Sequence, residues 1–281
     1  MKILFLGDLV GRSGRDAVIN AVPDLRERYG LDFVVVNGEN AAHGFGITPE
    51  ICNSLYAAGV DCITTGNHIW DQRQIINHIG GDGRLLRPLN FIKGTPGNGF
   101  GVYKLDDDRQ VLVINAMARL FMELNDSPFD AIEKLLDRYR LGDNVQAVIL
   151  DFHGEATSEK MAMGHYLDGR ASLVVGTHTH VPTADLHILA GGTAYQTDAG
   201  MCGDYDSVIG MEKTVSLAKF TQRLPTERMS PATGEATISG LLLETDDATG
   251  LAKRVTPLRM GGALQPATPD ASWVVASTLS V

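Results

Sequence analysis

The chain has 281 residues, 44% of them hydrophobic, which is enough to build a full core in one large α/β unit. Lys and Arg total 24 against 34 Asp and Glu, and the resulting formal charge of -10 repels nucleic-acid backbone over most of the surface, so no stable nucleic-acid partner is expected. The opening MKILFLGD is too short an apolar run for a secretory signal, no stretch approaches a membrane span, and Cys52, Cys62 and Cys202 lack CxxC spacing, so a reduced cytoplasmic protein without a disulfide framework is expected.

Short β-rich runs alternate with helical patterns. A strand near Ile3 to Leu6 precedes a helical pattern from Asp16 to Tyr29 that Pro23 interrupts. A strand at Phe33 to Asn37 leads to a helix over Pro49 to Ala58, with Thr48 as its cap and Gly59 as its stop. Strand Asp61 to Thr65 and helix Asp71 to Ile79 follow, then strand Val111 to Asn115, helix Pro128 to Tyr139 after Ser127, strand Ala147 to Asp151, helix Ser158 to Leu167 and strand Ser172 to Val175. The near-continuous apolarity of these strands points to burial on both faces. Farther on, ADLHILAGGTAYQTD, TVSLAKF and TISGLLLETDDATGLAKRVTPL read as antiparallel hairpins, and the Pro- and Ser-containing tail from Gln265 reads as loosely held. The expectation is a single domain over residues 1–281, with an α/β core to about residue 185 and a β-rich part over about 186–264.

Polar residues of ligand type close several of these strands. They are Asp8 in FLGD, Glu39 and Asn40 in VVVNGEN, Asn67 and His68 in ITTGNH, His153 in VILDFHGE, and His178 and His180 in VVGTHTH. Strand carboxyl ends in α/β sheets form one rim, so residues far apart in sequence converge there. A chain leaving a strand in extended form would aim His178 and His180 at one object and turn Thr179 away. Singly, Asp8 reads as a turn cap, Glu39 and Asn40 as loop residues and His153 as a satisfied buried histidine. Five repetitions of one placement, ending in the HxH pair, point instead to a metal. His78, His165 and His187 fall inside helical or strand patterns and are assigned to structure. His43 and Phe45, in the Gly-containing loop after Asn40, are candidate substrate contacts, Phe45 by stacking on a base. Arg12 and Arg15 are candidate phosphate contacts, with solvated surface arginine the commoner role.

The order Asp, carboxylate, Gly-Asn-His, His and Gly-His-x-His resembles the calcineurin-like metallophosphoesterases, over Met1 to about Asp185 and into the β-rich end. Two departures stand out. The D-x-H of that superfamily is here Asp8-Leu9-Val10, and its bridging Asp is here Glu39. These, with GDLVGRSGRDAV, NGENAAHGFGI, TTGNHIWD, DFHGEATSEK and TDAGMCGDYDSVIG, closely resemble the YmdB-like subfamily of cyclic-nucleotide phosphodiesterases.

The resemblance implies an α/β fold of metallophosphoesterase type, a β-sandwich flanked by helices with ligands on loops at strand C-terminal ends. It implies two divalent transition-metal ions per chain, Fe or Mn ahead of Zn, one held by Asp8, Glu39, Asn40 and His180 and the other by Glu39, Asn67, His153 and His178. It further implies hydrolysis of a small 2′,3′-cyclic nucleotide by a bridging hydroxide with His68 as general acid, no membrane, and a homo-oligomer, dimer or tetramer. Two alternatives stay open: a phosphomonoesterase or protein phosphatase, and a regulatory protein that binds a nucleotide with little turnover.

Overall fold

The computed structural model describes residues 1–222 and 227–275. In chain order its elements are β1 (Lys2–Leu6), β2 (Asp8–Leu9), α1 (Gly11–Tyr29), β3 (Phe33–Asn37), α2 (Pro49–Ala57), β4 (Cys62–Thr64), α3 (Ile75–His78), β5 (Phe100–Lys104) and β6 (Gln110–Met117). They continue with α4 (Pro128–Leu136), β7 (Ala147–His153), α5 (Thr157–Tyr166), β8 (Leu173–Thr177), β9 (His187–Ile188), β10 (Ala194–Gln196), β11 (Met201–Asp204), α6 (Lys213–Thr221), β12 (Ala236–Thr245) and β13 (Ala252–Met260). A short 3₁₀ turn follows at Ala271–Trp273.

Two sheets are stacked. One runs β2-β11-β12-β1-β3-β4 with β13 on β12, and the other runs β5-β6-β7-β8-β10-β9. Side chains alternate across a strand, so a strand covered on both faces needs apolar residues at every position. In β1, Ile3 and Phe5 turn toward the second sheet, where they meet Val111, Val113, Ile149 and Leu173. Leu4 and Leu6 turn outward to Val18, Val22 and Leu25 of α1 and Leu55 of α2. On the far side, Leu112, Ile114 and Leu150 pack with Ile132 of α4 and Met163 of α5. This is the helix-flanked sandwich expected from the sequence. Among the described residues no helix is long and apolar enough to cross a membrane.

Several elements differ from expectation, each for a local reason. The first helix starts at Gly11 and continues through Pro23. The helix expected from Asp71 is confined to Ile75–His78, because Asp71 bonds the ring of His68 and Gln72 Nε2 donates to the Phe45 carbonyl at 2.8 Å. TVSLAKF is helical, not a strand. The Glu212 carboxylate caps it by accepting from the N–H groups of Thr214 and Val215 at 3.0 and 3.1 Å. The antiparallel pairs β9–β10 and β12–β13 form as expected, while β10 also runs parallel to β8 and β5 adds an antiparallel edge. The tail is docked rather than loose as far as residue 275, since the carbonyl of buried Trp273 accepts from Lys2 Nζ at 3.0 Å. The last part of it, 276–281, lies outside the described residues.

Candidate functional site

Both sheets deliver ligand-type side chains to one rim. From the first sheet come Asp8 in β2, Glu39 and Asn40 after β3, and Asn67 and His68 after β4. From the second come His153, the last residue of β7, and His178 and His180 just beyond β8. The HxH pair is not extended. Its residues have φ of 97° and 66°, in the left-handed region that non-glycine residues seldom enter. Tertiary partners hold it there: Asp8 Oδ2 accepts from the His178 N–H at 3.3 Å, Asp198 Oδ2 accepts from the Thr179 N–H and hydroxyl, and the Ile209 carbonyl bonds His180 Nδ1 at 2.8 Å. Thr179 is turned away to Asp198, as expected, by a different backbone route.

Two groups of ligand atoms result, and Glu39 belongs to both. Asp8, Glu39 and His180 offer atoms that all lie within 4.8 Å of one another, as do Glu39, His153 and His178. Asn40 borders the first group, its Nδ2 donating to Glu39 Oε1 at 2.9 Å and lying 3.2 Å from His180 Nε2. Asn67 joins the second, with Oδ1 3.0 Å from His153 Nε2, which is also 3.1 Å from Glu39 Oε2 and 3.1 Å from His178 Nδ1.

Burial makes these charges expensive. It drives the Asp8 carboxyl well above the usual carboxylate range, against the pull of His153 and with the push of Glu39. Burial also opposes ionisation of Glu39, but the His153 imidazolium beside it, aided by His68 and His178, holds its carboxyl well below the usual range. His153 is desolvated too, yet Glu39 and Asp8 lift it to about 9. Desolvation and the His153 charge depress His178 to about 3, and burial lowers His180. Two buried carboxyl groups thus face one neighbouring imidazolium, while Asp8 Oδ1 and Asn40 Oδ1 are buried without any hydrogen bond. Unpaired oxygens and two imidazoles, His178 and His180, held below their ordinary values around a shared carboxylate fit divalent cations.

The surrounding residues fix this set. Gly66 sits against the shared Glu39 and His153, and a Cβ there would lie 2.2 Å from His153 Nε2 and 2.3 Å from Glu39 Oε2, so only glycine fits the Gly-Asn-His turn. His153 Nδ1 meets Thr177 Oγ1 at 2.9 Å, and that hydroxyl reaches Asp151 Oδ1 at 2.6 Å. Asp151 also accepts from Asn37 Nδ2 and Thr64 Oγ1. Such partners set the orientation of ligating histidines. Asp198 is paired with buried Lys160 at 2.9 Å. The sequence reading missed both networks; polar residues on otherwise apolar strands, as in ILDFH and VVVN, were the available signal.

A cleft of about 490 Å³ opens above the rim. His68, Phe45, Glu39, Asn40, His178 and His180 line it, and so do Glu155 and residues of α6 that the sequence reading did not single out. His68 Nδ1 is tied to Asp71 Oδ2 at 2.8 Å, and the Phe45 ring packs edge-on to His68 with centroids 5.2 Å apart. His43 is exposed and does not line this cleft, nor do Arg12 and Arg15. His78 bonds Asp82, His165 is exposed on α5, and His187 is exposed in β9. All three cysteines are free and buried.

A family model described as YmdB-like protein matches residues 4–258. The chain belongs to the YmdB-like family. It is 46% identical over 255 residues to a 2′,3′-cyclic-nucleotide 2′-phosphodiesterase of Bacillus subtilis, covering 91% of this chain and 95% of that protein. Among solved structures, a hypothetical protein from Thermus thermophilus superposes with a TM-score of 0.87 at 40% identity, covering 94% of this chain and 100% of the other. A protein from Mycoplasma pneumoniae described as a novel phosphatase gives a TM-score of 0.86 at 32% identity, covering 97% and 95%. The YmdB-like chain thus has the metallophosphoesterase-type fold that its two sheets suggest.

Proposed function

We propose that this YmdB-like chain is a metal-dependent phosphodiester hydrolase that opens 2′,3′-cyclic nucleotides to nucleoside monophosphates. The observation that carries the reading is the pair of ligand groups sharing buried Glu39 at the floor of a cleft; the name of the Bacillus subtilis relative supplies the substrate class and points to the 2′ bond. Asp8, Glu39, Asn40 and His180 would hold one divalent ion, and Glu39, Asn67, His153 and His178 would hold the other. Fe or Mn is favoured over Zn by the thiolate-free N/O donor set. When bound, the ions acidify the attacking water and neutralise phosphoryl oxygens.

The chain's own residues orient and move protons. Asp71 anchors His68 through Nδ1, which leaves Nε2 to protonate the departing ribose oxygen, a role worth roughly 10² to 10⁴ in rate. The Asp151–Thr177–His153 chain keeps the His153 ring in register. A cyclic diester carries one negative charge, so it loses less hydration than a monoester on entering this acidic chain's cleft. The place of β12 between β1 and β11 supports reading residues 1–281 as one domain, and the resemblance supports a homodimer or homotetramer, which sedimentation equilibrium checks.

The test is kcat/KM for 2′,3′-cyclic AMP beside 3′,5′-cyclic AMP, AMP and short RNA with Mn- or Fe-loaded protein. Preference for the first supports the reading. Preference for AMP moves the assignment to a phosphomonoesterase, the reading that the Mycoplasma pneumoniae neighbour's description favours.

A further inference from the structure

The cleft has two chemically different sides. Its floor is the polar cluster around Glu39, and its wall carries Phe45, Met211 and Met229, which pack against the small apolar cluster of Val10 and Met201. Helix α6 also borders the cleft. Ser216, Lys219 and Phe220 all line the cleft, and their i, i+3, i+4 spacing puts them on one helical face. Ser216 is committed to its own helix, its hydroxyl donating to the Glu212 carbonyl at 2.8 Å. Phe220 is not committed: 84% of its surface is exposed, and among the described residues its ring has no aromatic or cationic partner. Phe45, by contrast, is already engaged with His68.

Ile209 ties this apolar side to the floor. It is a β-branched residue at φ 48°, a conformation that costs energy and persists only where its surroundings impose it. Its carbonyl fixes His180 Nδ1 at 2.8 Å, while its side chain, 54% exposed, lines the cleft. An exposed aromatic ring and an exposed isoleucine thus line the same cleft as the polar cluster around Glu39.

The proposed substrate has matching ends, an anionic ribose phosphate and a flat, neutral heteroaromatic base. We propose that Phe220 of α6, with Ile209 lining the same cleft, is the platform on which the nucleobase packs while the ribose phosphate occupies the floor. The inference rests on the cyclic-nucleotide reading and goes beyond it by naming a specificity residue. Stacking is available to every base, so the four 2′,3′-cyclic nucleotides are expected to be turned over with kcat/KM values within several-fold of one another.

The test uses metal-loaded protein and two substrates, 2′,3′-cyclic AMP and base-free ribose 2′,3′-cyclic phosphate. Phe220→Ala should lower kcat/KM for 2′,3′-cyclic AMP by roughly tenfold more than for the base-free compound, through KM rather than kcat, and Phe220→Trp should restore the difference. Equal losses on both substrates, or no loss on either, overturn the inference. Calorimetric binding of adenosine 3′-phosphate supplies a readout independent of turnover: the wild type should bind it roughly tenfold tighter than Phe220→Ala. If the wild type hydrolyses neither cyclic compound, the proposed function fails, and the binding comparison alone decides on Phe220. Equal binding by the two proteins then rejects the platform.

Discussion

Replacing Gly66 by Ala adds one methyl group against His153 and the shared Glu39. Gly66 is outside the left-handed region, so alanine meets no backbone penalty and the effect is steric. The new Cβ would lie 2.2 Å from His153 Nε2, 2.4 Å from His153 Cδ2 and 2.3 Å from Glu39 Oε2. Ordinary carbon contacts begin near about 3.5 Å, so the imidazole and the carboxylate must retreat by roughly 1 Å. Metal–ligand distances tolerate only about ±0.2 Å. At least one ion should therefore be lost or bound roughly 100-fold more weakly, and kcat/KM should fall by about 10² or more. Overpacking of this kind should also lower stability by about 1–3 kcal/mol. The assay is metal content after equilibration at fixed free Mn, with turnover and thermal unfolding on the same preparation. Gly80→Ala is the control, because a Cβ there meets nothing within 4 Å. A Gly66→Ala protein that keeps two tightly bound ions and near wild-type kcat would refute the placement of Glu39 and His153 as ligands.

Glu39→Gln should reduce the occupancy of both sites, whereas His180→Ala should empty mainly the first and His178→Ala mainly the second; retention of two tight ions by Glu39→Gln rejects the bridging role. His68→Ala should keep its metal and lose kcat, least on nitrophenyl esters, whose leaving group needs little protonation; an equal loss on good and poor leaving groups argues for an orienting role. Chelation should lower Tm, since ions held at about 100 times Kd contribute roughly 2.7 kcal/mol, several degrees for a chain of this size, and an unchanged Tm contradicts the buried ligand set. Asp198→Ala should destabilise by roughly 3–5 kcal/mol in denaturant unfolding, because Lys160 is only 1% exposed and would lose its carboxylate partner.

Much of the site was legible in the sequence because it follows strand ends. Apolar runs located β1, β3, β4, β7 and β8 to within a few residues, and the polar residues closing them converge in space. The conformation of the HxH loop was not legible. His178 is turned by Asp8, 170 residues away, and His180 by Ile209, 29 residues away, so local rules for an extended chain had no access to the deciding partners. Helix α6 was missed for a different reason. Its Val215 and Leu217 alternate like strand residues, and its cap is a glutamate rather than Ser, Thr, Asp or Asn. The error mattered, since a strand would send Lys219 and Phe220 to opposite faces, whereas the helix turns both toward the cleft.

The first strand is seated between neighbours made at opposite ends of synthesis. β1 pairs with β3 on one edge and with β12 on the other, joining Lys2 to Glu244 and Leu6 to Gly240. While the chain is being translated, that second edge stays open until the ribosome has passed residue 236, and Asp8, one residue beyond β1 after Gly7, pairs through β2 with β11, another late strand. The site therefore closes near the end of synthesis, and a nascent chain carrying most of its ligands still lacks the strands that hold Asp8 in place. Contacts spanning so much of the chain also make for slow folding.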